Sequence, residues 1–590
     1  MKKKLLIILL SLCVAITSAF TLSACRGKNN NNGGNVDNGG GSSTTTTDDG
    51  KTDNKDNSAT DGGKTDDGKT DDGDENTERK ATKGLEFAFI DNETTQVTGY
   101  KGTDAEVYIP SMEGSKRVTR IKADAFAGNR VITSVEMGDN VAEIGDRAFN
   151  DCPNLTVVKI GTGVKSIGNR AFYGSKSLTE VAIPNGVATV GNEAFYGCSG
   201  LTTAAIPDSV TKMGYKAFRN CTGLTSATIG SGLTEIDDET FRDCTRLTGV
   251  TIGSGVTVIG QNAFSTCTRL ANVTISGNVA QIEMGAFVDC PNLTSIEIPN
   301  SIRAVGVTAF NGTGLTFTED NGARYLGNSG NRYLVLIEAK DKEAITSYDI
   351  NANAKVIADM AFYRCEKLTT VSIPESVTDI GALAFSGCGE LSNLTMSNGL
   401  LTIGQEAFAS CIGLTGLTIP DSVTDIGQFA FQDCQCLAKV TGCGGVMTIG
   451  EHAFHGCNEL TDIMLPGTLT KIPAYMFYGC KKLSNITLPS SLMRIEDNAF
   501  NGCEKLSNVT IPGGVTTIGA QAFAYCTSFT EITIPLSVRR MDNEVFIGCT
   551  KLTKINCEAE SWDAVSGGWY INWTGLAENA VKVNWNYKGN

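Results

Sequence analysis

Apolar side chains along this chain fall into a unit of 23 residues that recurs without slippage. In one clean copy Leu178, Val181 and Ile183 lead, Val187 and Val190 follow, and Ala194, Phe195 and Cys198 close the unit. The closing Phe returns at this constant spacing from Phe126 to Phe310 and again from Phe362 to Phe546, two runs of nine separated by one gap of 52 residues. Val and Ile alternate in the leading segment, which is strand spacing, and Pro often follows the Ile to stop the strand. The second apolar pair is usually closed by Gly, as at Gly168, Gly191 and Gly404, which suits either a tight turn at positive φ or a close backbone approach. A fixed period between about 20 and 50 residues marks a solenoid, in which no unit buries its apolar face alone and stacked units share one continuous core. The pattern predicts a β-rich solenoid of about twenty coils.

Around this array the chain divides into seven parts. Lys2 to Lys4, an apolar run from Leu5 to Leu22 and small residues before Cys25 read as a signal peptide over 1–24. Leu22-Ser23-Ala24-Cys25 resembles a bacterial lipobox, which implies cleavage before Cys25 and lipid on its thiol; a plain signal peptide or an uncleaved anchor is the alternative. Residues 25–83 are Asn, Gly, Ser, Thr, Asp and Lys with almost nothing to bury, a disordered tether. The tether contains Gly63-Lys64-Thr65-Asp66-Asp67-Gly68-Lys69-Thr70, a literal P-loop string without the strand and helix that a phosphate cradle requires. An N-terminal cap is expected over 84–120, repeat array 1 over 121–318, array 2 over 345–556 and a C-terminal cap over 557–590. Within 319–344, Arg324-Tyr325-Leu326 and Arg332 to Ile337 flank Gly327-Asn328-Ser329-Gly330, predicting a projecting β-hairpin on one enlarged coil. Such an insertion is either a binding face or a tolerated loop.

The leading segment fits L-x-x-L-x-L, the leucine-rich repeat signature. With V-T-x-I-G and then A-F-x-x-C after it, the unit closely resembles the BspA-like leucine-rich repeats of bacterial surface proteins, over about residues 85 to 590. That resemblance implies a leucine-rich repeat solenoid and a non-enzymatic surface protein concerned with adhesion and with binding other proteins.

Cysteine and charge narrow the chemistry. Fifteen cysteines sit three residues after the repeat Phe, where Asn129, Ser175 or Thr313 stands in other coils. A slot shared by these residues reads as a ladder of small, buried, reduced thiols, although adjacent coils also bring the positions within disulfide reach. A formal charge of -15 with no basic run beyond the first four residues argues against nucleic acid. His452 and His455 are the sole histidines, and no catalytic elbow, zinc-protease or dinucleotide motif occurs, so neither an enzyme nor a cofactor or metal site is expected.

Binding then falls to surfaces. Thr228, Thr251 and Thr274, then Thr395 and Thr418, then Thr487, Thr510 and Thr533 lie between the inward apolar positions and form an outward threonine ladder. Thr is also simply a good strand residue, and an ice-ordering array is a remote third meaning. Tyr325 and Tyr333 on the hairpin complete the candidate surface. Trp562, Trp569, Trp573 and Trp585 all lie in the last segment, where rings cap an exposed core or, alternatively, stack on sugars. The expected protein is lipid-anchored on the outer face of a bacterial membrane, a single-membrane envelope being preferred, and it binds extracellular or host proteins, with glycans as the alternative.

Overall fold

The computed structural model describes residues 80–577 and 581–588. The signal peptide, Cys25, the P-loop string and nearly all of the tether therefore lie outside the described residues. The described residues form one unit of strands and turns, a β-solenoid of about 20 turns, with no helix among them.

Most regular coils carry two strands. The first holds the leading segment and pairs parallel with its counterpart one repeat away: Ser226–Ile229 pairs with Gly249–Ile252, so that Ala227 faces Val250 and Ile229 faces Ile252 inside the stack. The second is two residues long, as in Thr189–Val190 between Ser166–Ile167 and Lys212–Met213. A corner follows, and its Gly is required by close approach: a Cβ on Gly404 would come within 2.6 Å of the Gly381 carbonyl carbon. Positive φ sits elsewhere, two residues after the repeat Phe and also two residues before it, there mostly on non-glycine side chains such as Arg170, Glu193 and Lys216 at 55°, 55° and 59°. These residues donate their N–H groups to the next coil, as Glu193 does to the Tyr215 carbonyl at 3.0 Å, and this bond holds the left-handed turn in place.

The Phe that ends each coil stacks on those above and below. Phe126 to Phe310 form one column, with ring centroids 4.8 to 5.8 Å apart, and Phe362 to Phe546 a second, at 5.1 to 6.0 Å. Such pairs contribute about 0.5–1.5 kcal/mol beyond the area they bury. Beside each ring lies the predicted small slot. The 18 cysteines of the described residues form no disulfide. The repeat cysteines are buried, and all but Cys365, which opens the second array, donate to the Phe carbonyl of the previous coil, as Cys198 does to Phe172 at 3.0 Å and Cys411 to Phe385 at 3.2 Å. Ser175 makes the same bond to Phe149 at 2.8 Å. Burial raises these thiols, Cys434 to about 12, so they remain protonated donors.

The core is not continuous. Two apolar clusters meet and interleave between Ala323 and Ala358. There Thr318–Asp320, Ala323–Leu326 and Val335–Ala339 form an antiparallel meander whose last strand continues, parallel, into Val356–Ile357. The hairpin is therefore laid into the second-strand stack instead of projecting from it. Tyr325 is fully buried, its hydroxyl 2.8 Å from that of Tyr348, whose ring packs at 5.3 Å on Phe362. Across the same joint Arg303 donates to the buried Asp379 carboxylate at 2.9 Å.

Both ends are closed by aromatics. Leu85–Phe89 and Thr94–Tyr100 form an antiparallel pair that places Tyr100 against Phe126 at 6.2 Å. At the other end Trp573 meets Phe546 edge-on at 6.3 Å, Trp569 packs on Trp573 at 5.0 Å, and Trp569 Nε1 donates to the Val538 carbonyl.

Replacing Phe408 with Ala should cost about 3–5 kcal/mol in urea unfolding, because the column above and below prevents collapse of the cavity. Cys411→Ser should unfold within about 1 kcal/mol of the parent, since its hydroxyl can make the bond that Ser175 makes.

Candidate binding faces

The first-strand face carries the outward threonines. Thr228, Thr251 and Thr274 are exposed on strands paired in register, so they form a true three-rung ladder. Thr395 pairs with Ser372, and Thr418 pairs with Thr441, their hydroxyls 3.0 Å apart. Thr487 and Thr510 are exposed but belong to segments outside any strand, and Thr533 is half-buried opposite Asn556. The ladder predicted over the last coils is thus absent as a ladder. Tyr325, buried in the joint, cannot line a surface; Tyr333 is half-buried, edge-on to it at 5.5 Å, with the Arg332 guanidinium 5.0 Å above its ring.

Around the ladder the face is free of charge. From Thr203 to Thr274 the outward side chains of four successive strands are Thr, Ala, Ser, Gly and Asn, bounded by Glu180 and Glu297. A second neutral stretch runs from Thr370 to Thr418, between Asp349 and Lys439. Small neutral groups make a flat area that loses little on dehydration.

The turn face, beside the Phe column, is built differently. Phe429, His452 and Tyr475 stack at 4.4 and 4.5 Å, and His455 stacks on Tyr478 at 4.8 Å. The two imidazoles face each other, Nδ1 to Nδ1 at 3.3 Å. Among the described residues no group of three His, Cys, Asp or Glu is placed to hold a metal ion. Tyr478 and Tyr525 are exposed on this face, and neither belongs to the surface expected from the sequence. The available signal was positional, since both occupy rungs of lanes that run beside the repeat Phe.

The family model described as BspA type leucine rich repeat region matches residues 105–225, 211–319, 340–461 and 447–563. The chain belongs to the BspA-type leucine-rich repeat family. Its matches stop at 319 and resume at 340, at the meander that joins the two cores. Among solved structures, the leucine-rich repeat protein of T. pallidum is 26% identical over 32% of this chain and 88% of its own, with a TM-score of 0.30. A leucine-rich cell surface protein from Faecalibacterium prausnitzii is 26% identical over 69% and 94%, at 0.27, and a leucine-rich repeat protein from Bacteroides ovatus is 20% identical over 85% and 98%, at 0.35. No curated protein matches the chain.

In this BspA-type coil the His452 ring is desolvated and lies beside His455, and both effects push its pKa down from 6.5 to about 4. Burial also lowers His455, against the Asp433 carboxylate. The unfolded chain takes up a proton on His452 near 6.5, whereas the folded ring resists until about 4. Stability contributed by the neutral ring is therefore complete above 6.5 and is lost as pH falls towards 4. His452→Phe, which keeps a ring in the stack, should lessen the drop in urea stability between neutral and acid pH by about 1–2 kcal/mol after allowance for solvent screening.

Proposed function

We propose that the protein is a non-catalytic, cell-surface binding protein that engages extracellular or host proteins through its first-strand face and serves in adhesion. The observation that carries this reading is the neutral, flat stretch from Thr203 to Thr274 on a chain of formal charge -15. A long acidic solenoid repels many partners at a distance, and a charge-free strip is where contact costs least in buried charge. Parallel pairing holds its threonines at a fixed repeat, so a partner meets a rigid surface and loses little entropy in ordering it. The sequence Leu22-Ser23-Ala24-Cys25 supports a lipid anchor on Cys25, which would hold this surface at the membrane through a polar tether.

The test is capture of purified extracellular and host-surface proteins by the full chain and by its Thr251→Arg and Thr418→Arg variants. A retained partner should bind at least about tenfold more weakly to one of the variants, because an arginine interrupts the flat strip with bulk and an unpaired charge. Equal binding by parent and both variants would defeat the reading. Separately, Cys25→Ala should abolish incorporation of labelled palmitate and move the protein from the membrane pellet to the soluble fraction.

A further inference from the structure

The turn face of the last coils holds a recess of about 370 Å³ lined by Tyr478, Lys481, Asn501, Gly502, Glu504 and Tyr525. Its floor is bare backbone. Gly456, Gly479 and Gly502 occupy one lane, all at positive φ of 72°, 72° and 78°, and a Cβ on Gly502 would lie 3.5 Å from the Gly479 Cα. The next rung of that lane is Tyr525, at φ 56° and 51% exposed, with its ring laid over Gly548. Elsewhere among the described residues this left-handed lane holds Gly, Asp, Asn, Ser or Thr, apart from Arg364. A tyrosine there bears a backbone cost that Gly, Asn or Asp would lessen, and such outliers collect where function needs them.

One wall is aromatic, where Tyr478, 37% exposed, ends its stack with His455. The other wall is polar. Lys481 and Glu504 are exposed on successive coils, neither ion-paired among the described residues, and Thr527 follows them in the same lane. These supply a donor, an acceptor and a group that is both.

We propose that this recess is a binding site for a neutral oligosaccharide. Each sugar hydroxyl both donates and accepts, which matches the mixed wall of Lys481, Glu504 and Thr527. The C–H face of a pyranose suits the negative face of a tyrosine ring. Tyr478 and Tyr525 stand two coils apart, about 10 Å at the strand spacing, so that successive coils meet successive sugars of an extended chain. The formal charge of -15 disfavours anionic glycans. A proline-rich peptide also suits a ring-lined trough, but its backbone presents acceptors without N–H donors, which leaves Glu504 unmatched. The site lies on a different face from the neutral threonine strip and does not depend on the protein-binding reading.

The experiment titrates cellohexaose, maltohexaose, chitohexaose and a proline-rich peptide into the full chain by calorimetry, with Tyr478→Ala, Tyr525→Ala, Glu504→Gln and Thr251→Arg alongside. At least one hexaose should bind, each tyrosine variant should weaken it about tenfold or more, Glu504→Gln should weaken it several-fold, and Thr251→Arg should leave it unchanged. Glu504→Gln alters one exposed carboxylate, so its effect on affinity is readable even if a tyrosine variant unfolds more easily. The proposal is overturned if no hexaose binds, if only the peptide binds, or if a hexaose binds equally to the parent and to Tyr525→Ala and Glu504→Gln.

Discussion

Parallel stacking at a constant step of 23 residues is the constraint on which the rest of this molecule depends. It requires each residue to lie over its equivalent one coil away, so any side chain chosen for one rung must tolerate a copy of itself as neighbour. Phe does so by offset ring stacking. The amide positions do so by passing one hydrogen bond along the column: Asp146 Oδ1 accepts from the Asn169 N–H, Asn169 Oδ1 from Asn192, and Asn192 Oδ1 from Tyr215. The thiol succeeds for a related reason. The Phe195 carbonyl accepts the Cys198 N–H within its own coil and the Cys221 thiol from the next, which occupies both lone pairs in a space too small for a larger donor.

A column of this kind has no natural end, and the molecule spends its irregular sequence on ends and joints. The tryptophans of the last segment illustrate this. Trp569 and Trp573 are buried against Phe546, and Trp562 and Trp585 pack partly buried beside them, so the rings cover the final rung instead of presenting their faces to solvent. The joint near Tyr325 solves the same problem internally. With no Phe at the repeat position between Phe310 and Phe362, the Tyr325 and Tyr348 rings fill the space, and their hydroxyls satisfy each other, the Asp320 carbonyl and the Asn351 N–H. Arg303 and Asp379 then tie the two arrays together by a bond that skips the meander.

The regular coils could be read from sequence because their information is periodic: Leu178, Val181, Phe195 and Cys198 each sit where the 23-residue pattern puts them, and all but the half-buried Val181 are fully enclosed. What escaped was information carried by single residues. Tyr325 looked like a hairpin surface residue because turn chemistry predicts pairing but not which sheet the pair joins. Thr487 and Thr510 carry the same spacing as Thr251, yet their segments are outside any strand, so the spacing specified the coil without ensuring the strand. Gly404 was expected to serve either positive φ or close approach, and only the packed corner distinguishes these.

The lane two residues before the repeat Phe explains how such a constrained stack still leaves room for specificity. Its residues sit near φ 55° whether they are Arg170, Glu193, Phe429, His452 or Tyr475. A left-handed residue other than Gly costs roughly 1–2 kcal/mol, repeated here coil after coil. The bond from each N–H to the next coil holds the backbone regardless of the side chain, as at Lys216 to Asp238 and His452 to Ala474. Since the backbone needs nothing from these side chains, they can form charged pairs in one array, as Arg170 does with Glu193, and an aromatic stack in the other. Identity in the fully buried lanes is enforced by stacking, whereas in this largely half-buried lane the backbone leaves the side chain free to vary.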